Sequence, residues 1–116
     1  MPLPKSPMGC PMDALLRLLM GPWTTYILWV LRNHGPTRFG ALKRYVAGIS
    51  AKMLTERLRL LESADVIARD YTPTIPPQVT YSLTKRGEEL SEVFQKLDAI
   101  ARRWRDDDAK RGRKAA

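Results

Sequence analysis

The chain has 116 residues, room for one hydrophobic core and not two. Its 44% hydrophobic and 28% charged residues fit a globular protein, and no apolar run nears the roughly 20 residues of a membrane span. The proline-rich start lacks the apolar stretch of a secretory signal, which leads us to expect a cytoplasmic protein, and the single Cys10 excludes an intrachain disulfide framework or a cysteine zinc cluster.

The net charge of +8 is unevenly placed. Arg32, Arg38, Lys43, Arg44, Lys52, Arg57 and Arg59 lie in one quarter of the chain with Glu56 as the only acid among them, so that quarter carries +6. A basic segment rich in helical pattern suggests a polyanion partner; the plainer alternative is a set of solvated helix faces.

In chain order, residues 1–9 read as a flexible leader. A first helix is predicted from Cys10 or Pro11 to Met20, since proline suits the first helical turn and Asp13 complements its positive end. It is apolar on nearly every face except at Arg17. Gly21-Pro22 breaks it, and a second helix follows over 24–32, closed by His34-Gly35-Pro36. A third helix over 39–46 turns Leu42 and Val46 inward and Lys43 and Arg44 outward. The Ala47-Gly48-Ile49 turn then has helix-turn-helix character.

Ser50 is a good N-cap for a helix over 51–64, with Ile49 and Leu54 at the two positions of a hydrophobic staple. Leu54, Leu58 and Leu61 form its apolar stripe, spaced i, i+4, i+7. Lys52, Glu56 and Arg59 lie opposite, with Met53 and Thr55 on the flanks. Strands are predicted over 66–71 and 79–83, joined by a stiff, three-proline connection that reads as a wing. Thr84 caps a last helix over 85–104, whose apolar positions include Leu90, Val93, Phe94, Leu97, Ile100, Ala101 and Trp104. Residues 106–116 read as a disordered charged tail.

An ordered set of residues resembles the HxlR-type regulators, a winged-helix family related to the MarR regulators. The set comprises Cys10-Pro11, Gly21-Pro22-Trp23-Thr24, Arg38-Phe39, the run from Gly48 to Thr55, Arg57-Leu58, the run from Pro76 to Thr84, and Gly87. It spans roughly 10–104. The resemblance implies a bacterial or archaeal-type repressor or activator that dimerises through its N- and C-terminal helices and binds a near-palindromic operator. Two positions depart from the pattern. Gln78 stands where the family often has Arg or Lys, and Glu56 where it often has Gln; a carboxylate repels phosphate but can accept from cytosine N4.

The expected fold is therefore α+β and mainly α, a winged helix-turn-helix over 10–105 with added dimerisation helices. Base contacts are expected from Ser50, Lys52, Thr55 and Glu56, with Met53 beside them. Lys43, Arg44 and Arg59 are expected on phosphates, Arg38 and Arg69 are further candidates, and Gln78 sits at the wing exit. Surplus apolar surface at Leu15, Leu16, Leu19, Leu90, Phe94, Leu97, Ala101 and Trp104 is expected to bury itself in a homodimer.

Cys10 at a helix N-terminus faces the positive end of the dipole, which favours a thiolate, and some HxlR-type proteins use a cysteine here to sense electrophiles or oxidants. An inert cysteine at the dimer interface accounts for it equally well. Trp23, Tyr26, Trp29 and Phe39 are expected in the core, with room left for a small-molecule or electrophile effector between the dimer helices. His34 is expected in solvent. One histidine, one cysteine and no phosphate loop argue against an enzyme, and no cofactor or metal is expected. The rival functions are a non-specific DNA-coating protein and a winged helix used only for protein contacts.

Overall fold

The computed structural model describes residues 3, 7 and 9–115, with side chains through residue 112. The expected flexible leader over 1–9 lies mostly outside the described residues. Of its members, Leu3 is half-buried against the core.

The elements run α1 (Pro11–Leu19), α2 (Thr24–His34), β1 (Thr37–Arg38), α3 (Phe39–Tyr45), α4 (Ala51–Ser63), β2 (Ile67–Thr72), β3 (Gln78–Leu83) and α5 (Lys85–Ala115). The three strands form one antiparallel sheet in the order β1-β3-β2. This is the α+β, mainly helical winged helix-turn-helix that the sequence predicts, with α3 and α4 as the helix-turn-helix and β2–β3 as the wing.

Local chemistry sets most boundaries. Pro11 occupies the first turn of α1, and Arg17 Nε donates to Asp13 Oδ2 at 2.9 Å along it. Gly35 ends α2 with φ 72 and ψ −153, a region essentially closed to residues with a Cβ, while its N–H still donates to Leu31 O. At the end of α4 the Val66 N–H donates to Leu61 O and the Asp65 N–H to Glu62 O, with Asp65 at φ 60. That is a Schellman closure built on aspartate instead of glycine.

The core gathers Leu18, Ile27, Leu28, Leu31, Leu42, Leu54, Leu58, Leu61, Val66 and Ile67, all essentially without solvent exposure. Burial of each large aliphatic side chain contributes about 1.5–3 kcal/mol, and the α4 stripe thereby fixes which face of α4 points outward. The staple residues Ile49 and Leu54 both belong to this cluster.

Several expectations are corrected. The strand β1 is absent from the sequence reading; its two residues are strand only because Thr37 pairs with Tyr81 and Arg38 with Thr80. The wing strands reach Thr72 and Gln78, which shortens the expected seven-residue connection to 73–77. Residues 106–116, expected as a disordered tail, are helical through Ala115, because α5 continues past Trp104 as a 31-residue helix about 46 Å long. The extension is rich in helix-favouring Ala, Arg and Lys, lacks proline, and follows the i, i+4 pair in which Arg102 Nε donates to Asp98 Oδ2 at 3.0 Å.

Tyr26 and Trp29, expected in the core, are exposed. They stand one turn apart on the outer face of α2, ring centroids 6.2 Å apart, because Ile27, Leu28, Val30 and Leu31 already fill its inner face. Trp23 and Phe39 do pack against the core, each half-buried.

Candidate nucleic-acid interface

The helix α4 begins where Ser50 turns extended, at φ −78 and ψ 156, and its Oγ accepts from the Met53 N–H at 3.1 Å. This cap answers one of the open N–H groups of the first turn and fixes the helix start. Because Leu54, Leu58 and Leu61 are buried, Lys52, Glu56 and Arg59 are held outward on the exposed face, as the spacing predicts. Lys43 and Arg44 are exposed on α3, and Arg38 is exposed where β1 meets α3.

The wing meets α4 over a cleft of about 340 Å³. Thr55, Arg59 and Glu62 line it from α4, Arg69 from β2, and Val79 and Tyr81 from β3, with Phe39 and Leu58 completing the walls. Arg59 and Arg69, distant in sequence, thus share one depression whose acid is Glu62. Two cations beside an apolar floor suit a phosphate group that crosses the rim.

Not every expected contact faces outward with free chemistry. Thr55 is half-buried and its hydroxyl donates to Ala51 O at 2.8 Å, which leaves only the oxygen lone pairs for a partner. Met53 is half-buried against the core, so its side chain belongs more to packing than to the open face. The Ser50 oxygen is engaged in the cap and keeps its O–H as a donor. Gln78 begins β3, paired with Thr72, and is half-buried. At the wing tip Thr74 Oγ1 donates to Pro76 O at 2.8 Å, and Ile75 is fully exposed. The tip carries no cation, which leaves Arg69 as the basic group of the wing.

The apolar residues expected at a subunit interface divide into two groups. Leu16, Leu97, Ala101 and Trp104 are exposed, and Leu97 and Trp104 leave 54% and 65% of their surface in solvent. Leu19 is buried in the chain's own core, while Leu15, Leu90 and Phe94 are half-buried against it, because α1 and the first half of α5 close this core before anything else. The outward set is completed by residues the sequence reading assigned elsewhere. Thr25, Tyr26 and Trp29 of α2 face Phe94, Leu97, Asp98 and Ala101 of α5 across a mainly apolar groove of about 520 Å³.

Cys10 is the N-cap residue of α1, half-buried, with Cys10 O accepting from the Ala14 N–H at 3.0 Å and the thiol making no capping bond. The Arg17 guanidinium is directed to Asp13. His34 is exposed, as expected, yet stacks on Tyr45 with centroids 4.1 Å apart and planes 12° from parallel, which ties the end of α2 to the end of α3.

The model of the family described as HxlR-like helix-turn-helix matches residues 18–109. The chain is 40% identical over 93 residues to the HTH-type transcriptional regulator YodB of Bacillus subtilis, covering 79% of this chain and 82% of that protein. It is 41% identical over 88 residues to the HTH-type transcriptional regulator YtfH of Escherichia coli, covering 76% and 69%. The reduced form of YodB superposes with a TM-score of 0.70 at 39% identity, covering 79% of this chain and 90% of that one. The redox regulator HypR in its reduced form gives 0.77 at 29% identity, covering 84% and 95%. YodB has also been solved after diamide treatment and HypR in its oxidised form. With four-fifths of its length matched by the family and close relatives on both counts, the chain belongs to the HxlR-like helix-turn-helix transcriptional regulators.

Proposed function

We propose that the protein is a sequence-specific regulator that binds double-stranded DNA as a homodimer on a near-palindromic operator in the cytoplasm. The observation that carries this reading is the exposed face of α4, where Lys52, Glu56 and Arg59 stand together and Arg59 shares a cleft with Arg69 of the wing. Lys52 and Glu56 read base edges, assisted by the Ser50 hydroxyl and the Thr55 oxygen. Arg59, Arg69, Arg44, Lys43 and Arg38 hold phosphates and set the register. An acid among these cations weakens indiscriminate binding, so it supports base reading over DNA coating.

Dimerisation is supported by the outward apolar residues Leu16, Tyr26, Trp29, Leu97 and Trp104, more than a free helix surface ordinarily leaves in water. A two-fold pairing there sets two α4 helices at half-sites about 34–36 Å apart. A thiol response through Cys10 is supported by its half-buried N-cap position and by the relatives solved after diamide treatment, YodB, and in an oxidised form, the redox regulator HypR. In one route the Cys10 sulfur adds across the C=C bond of an α,β-unsaturated carbonyl, the C–S bond replacing the π bond and the thiol's proton ending on the adjacent carbon. In the other, two Cys10 thiols join as an intersubunit disulfide and pass two electrons and two protons to an oxidant such as diamide.

The test is titration of the purified protein against its own upstream DNA and a scrambled duplex, from about 50 to 200 mM salt. A preference for the upstream fragment that persists at the higher salt supports the reading. Equal affinities that collapse together support DNA coating and overturn it. Repeating the titration with diamide on wild type and Cys10→Ser decides the thiol response.

A further inference from the structure

The elbow between α1 and α2, where the axes turn by 81°, is clasped by the helix-turn-helix at two points. A Cβ placed on Gly21 would stand 2.5 Å from Arg57 Nη1 and 3.0 Å from Arg57 Cζ, so the guanidinium of α4 lies directly against the glycine backbone. A Cβ on Gly48 would stand 3.6 Å from Trp23 Cη2, so the indole of the elbow reaches the turn that joins α3 to α4. Trp23 adopts φ 71, a left-handed conformation that a bulky side chain keeps only where its surroundings impose it.

The polar groups at this junction are incompletely paired. Thr24 is wholly buried and its hydroxyl has no hydrogen-bond partner; Arg57 Nε is buried and equally without one. Among the described residues no carboxylate pairs with Arg57. Arg57 is half-buried, its Nε is enclosed without a partner, and the contact that places its head is the one to Gly21. The planar head occupies the space that a side chain at residue 21 would take, so a side chain there would have to displace it.

We infer that Arg57 is a positioning residue for DNA recognition: its guanidinium, seated on Gly21, fixes the angle of α4 against the α1–α2 elbow, and a displacement of α1 reaches the groove-facing side chains through it. The inference rests on α4 as the groove helix. It adds to that reading a route from the dimer arm to the reading face. A shift of α1 changes the space over Gly21, the guanidinium follows, and α4 turns on its buried leucines.

The experiment compares wild type with Arg57→Met, Arg57→Lys, Gly21→Ala and the Gly21→Ala/Arg57→Met double variant, all full length, on the upstream DNA and the scrambled duplex. Arg57→Met keeps the stem and removes the planar head; Gly21→Ala pushes the head away. Each single substitution is expected to weaken upstream binding about five- to tenfold while scrambled binding changes little. The double variant is expected to be no weaker than Arg57→Met, because the clash is gone once the head is gone. The salt slope is expected to stay at the wild-type value, unlike the slope after loss of a phosphate contact. Lysine is expected not to rescue.

Upstream binding by Arg57→Met equal to wild type, penalties that multiply in the double variant, or full rescue by lysine would each overturn the inference. Hydrogen exchange of the 18–26 segment, read on the same proteins without DNA, is expected to quicken in both Arg57 variants. If wild type binds neither duplex, the groove-helix reading fails on its own. Unchanged exchange in Arg57→Met and Arg57→Lys then overturns the clasp as well.

Discussion

Ser50 Oγ accepts a hydrogen bond from the Met53 amide at 3.1 Å, so the side chain nearest the tip of α4, the proposed groove helix, is also the one that starts it. The two roles separate by substitution. Ser50→Ala removes the cap and is expected to lower stability by about 1 kcal/mol. Ser50→Asp keeps the cap and complements the helix dipole, so its melting temperature is expected to stay at or above wild type. The same carboxylate faces the phosphates of a bound duplex, so DNA binding is expected to drop in Ser50→Asp more than in Ser50→Ala. Thermal melting and duplex titration on both variants check this. Unchanged binding by Ser50→Asp would remove Ser50 from the interface.

Arg59 and Arg69 sit in one cleft and Glu56 on the open face beside it, and their effects on DNA binding should differ in kind. Arg59→Ala and Arg69→Ala are each expected to weaken binding on every sequence and to reduce the slope of log affinity against log salt by about 1. Glu56→Gln removes a repulsive charge and a cytosine acceptor together. It is expected to tighten binding to scrambled DNA more than to upstream DNA, narrowing the preference between them. Salt titrations from about 50 to 200 mM measure all three. A wider preference in Glu56→Gln would contradict base reading by this residue.

What was legible in the sequence is what short-range chemistry encodes. Pro11, Ser50, Gly35 and Thr84 mark helix ends through interactions within a few residues, and the leucines of α4 announce its buried face by spacing alone. The outward placement of Lys52, Glu56 and Arg59 follows from those leucines. What was illegible depends on partners far away in sequence. Thr37 and Arg38 are strand only through Tyr81 and Thr80. Tyr26 and Trp29 face out because other residues of α2 win the inner face. The seating of Arg57 on Gly21 joins positions 36 apart, and a glycine at a helix break gives no sign that a guanidinium needs its space. Helix continuation past Trp104 was hidden by a run of mixed charge that serves a solvated helix as well as a coil.

The exposed apolar stripe of α5 yields a test of assembly that leaves the core alone. Leu97 is more than half exposed and lines the groove against Tyr26 and Trp29, whereas Leu90 and Phe94 on the same helix pack on the chain's own core. Leu97→Glu is therefore expected to preserve helicity and melting of the monomer fold while placing a desolvated charge in the proposed subunit interface. Sedimentation is expected to show a dimer for wild type and a monomer for Leu97→Glu. Upstream DNA binding is expected to weaken because two half-sites are no longer engaged together. A dimeric Leu97→Glu protein would place the interface elsewhere.

The Thr84 hydroxyl makes three hydrogen bonds where the start of α5 meets the end of α4. Its Oγ1 shares one proton between Asp65 O at 2.6 Å and Val66 O at 3.0 Å, and accepts from the Gly87 N–H at 3.2 Å as an N-cap. Gly87 itself has to be glycine, since a Cβ there would run into Val66 O. The Thr84 hydroxyl shares the polar pairing of these two segments with the Thr84 N–H, which donates to Val66 O at 3.1 Å, and with Arg86 Nη1, which donates to Ala64 O at 3.2 Å. Thr84→Val keeps the shape and removes both functions, leaving the Gly87 N–H without its cap. The expected cost is about 1–2 kcal/mol, read as a lower denaturation midpoint at constant slope. Thr84→Ser, which retains the hydroxyl, is expected to lose much less. Because the residue acts on stability and not on the reading face, the ratio of upstream to scrambled affinity is expected to match wild type in both variants. A changed ratio at unchanged stability would mean that the α4–α5 junction bears on recognition directly.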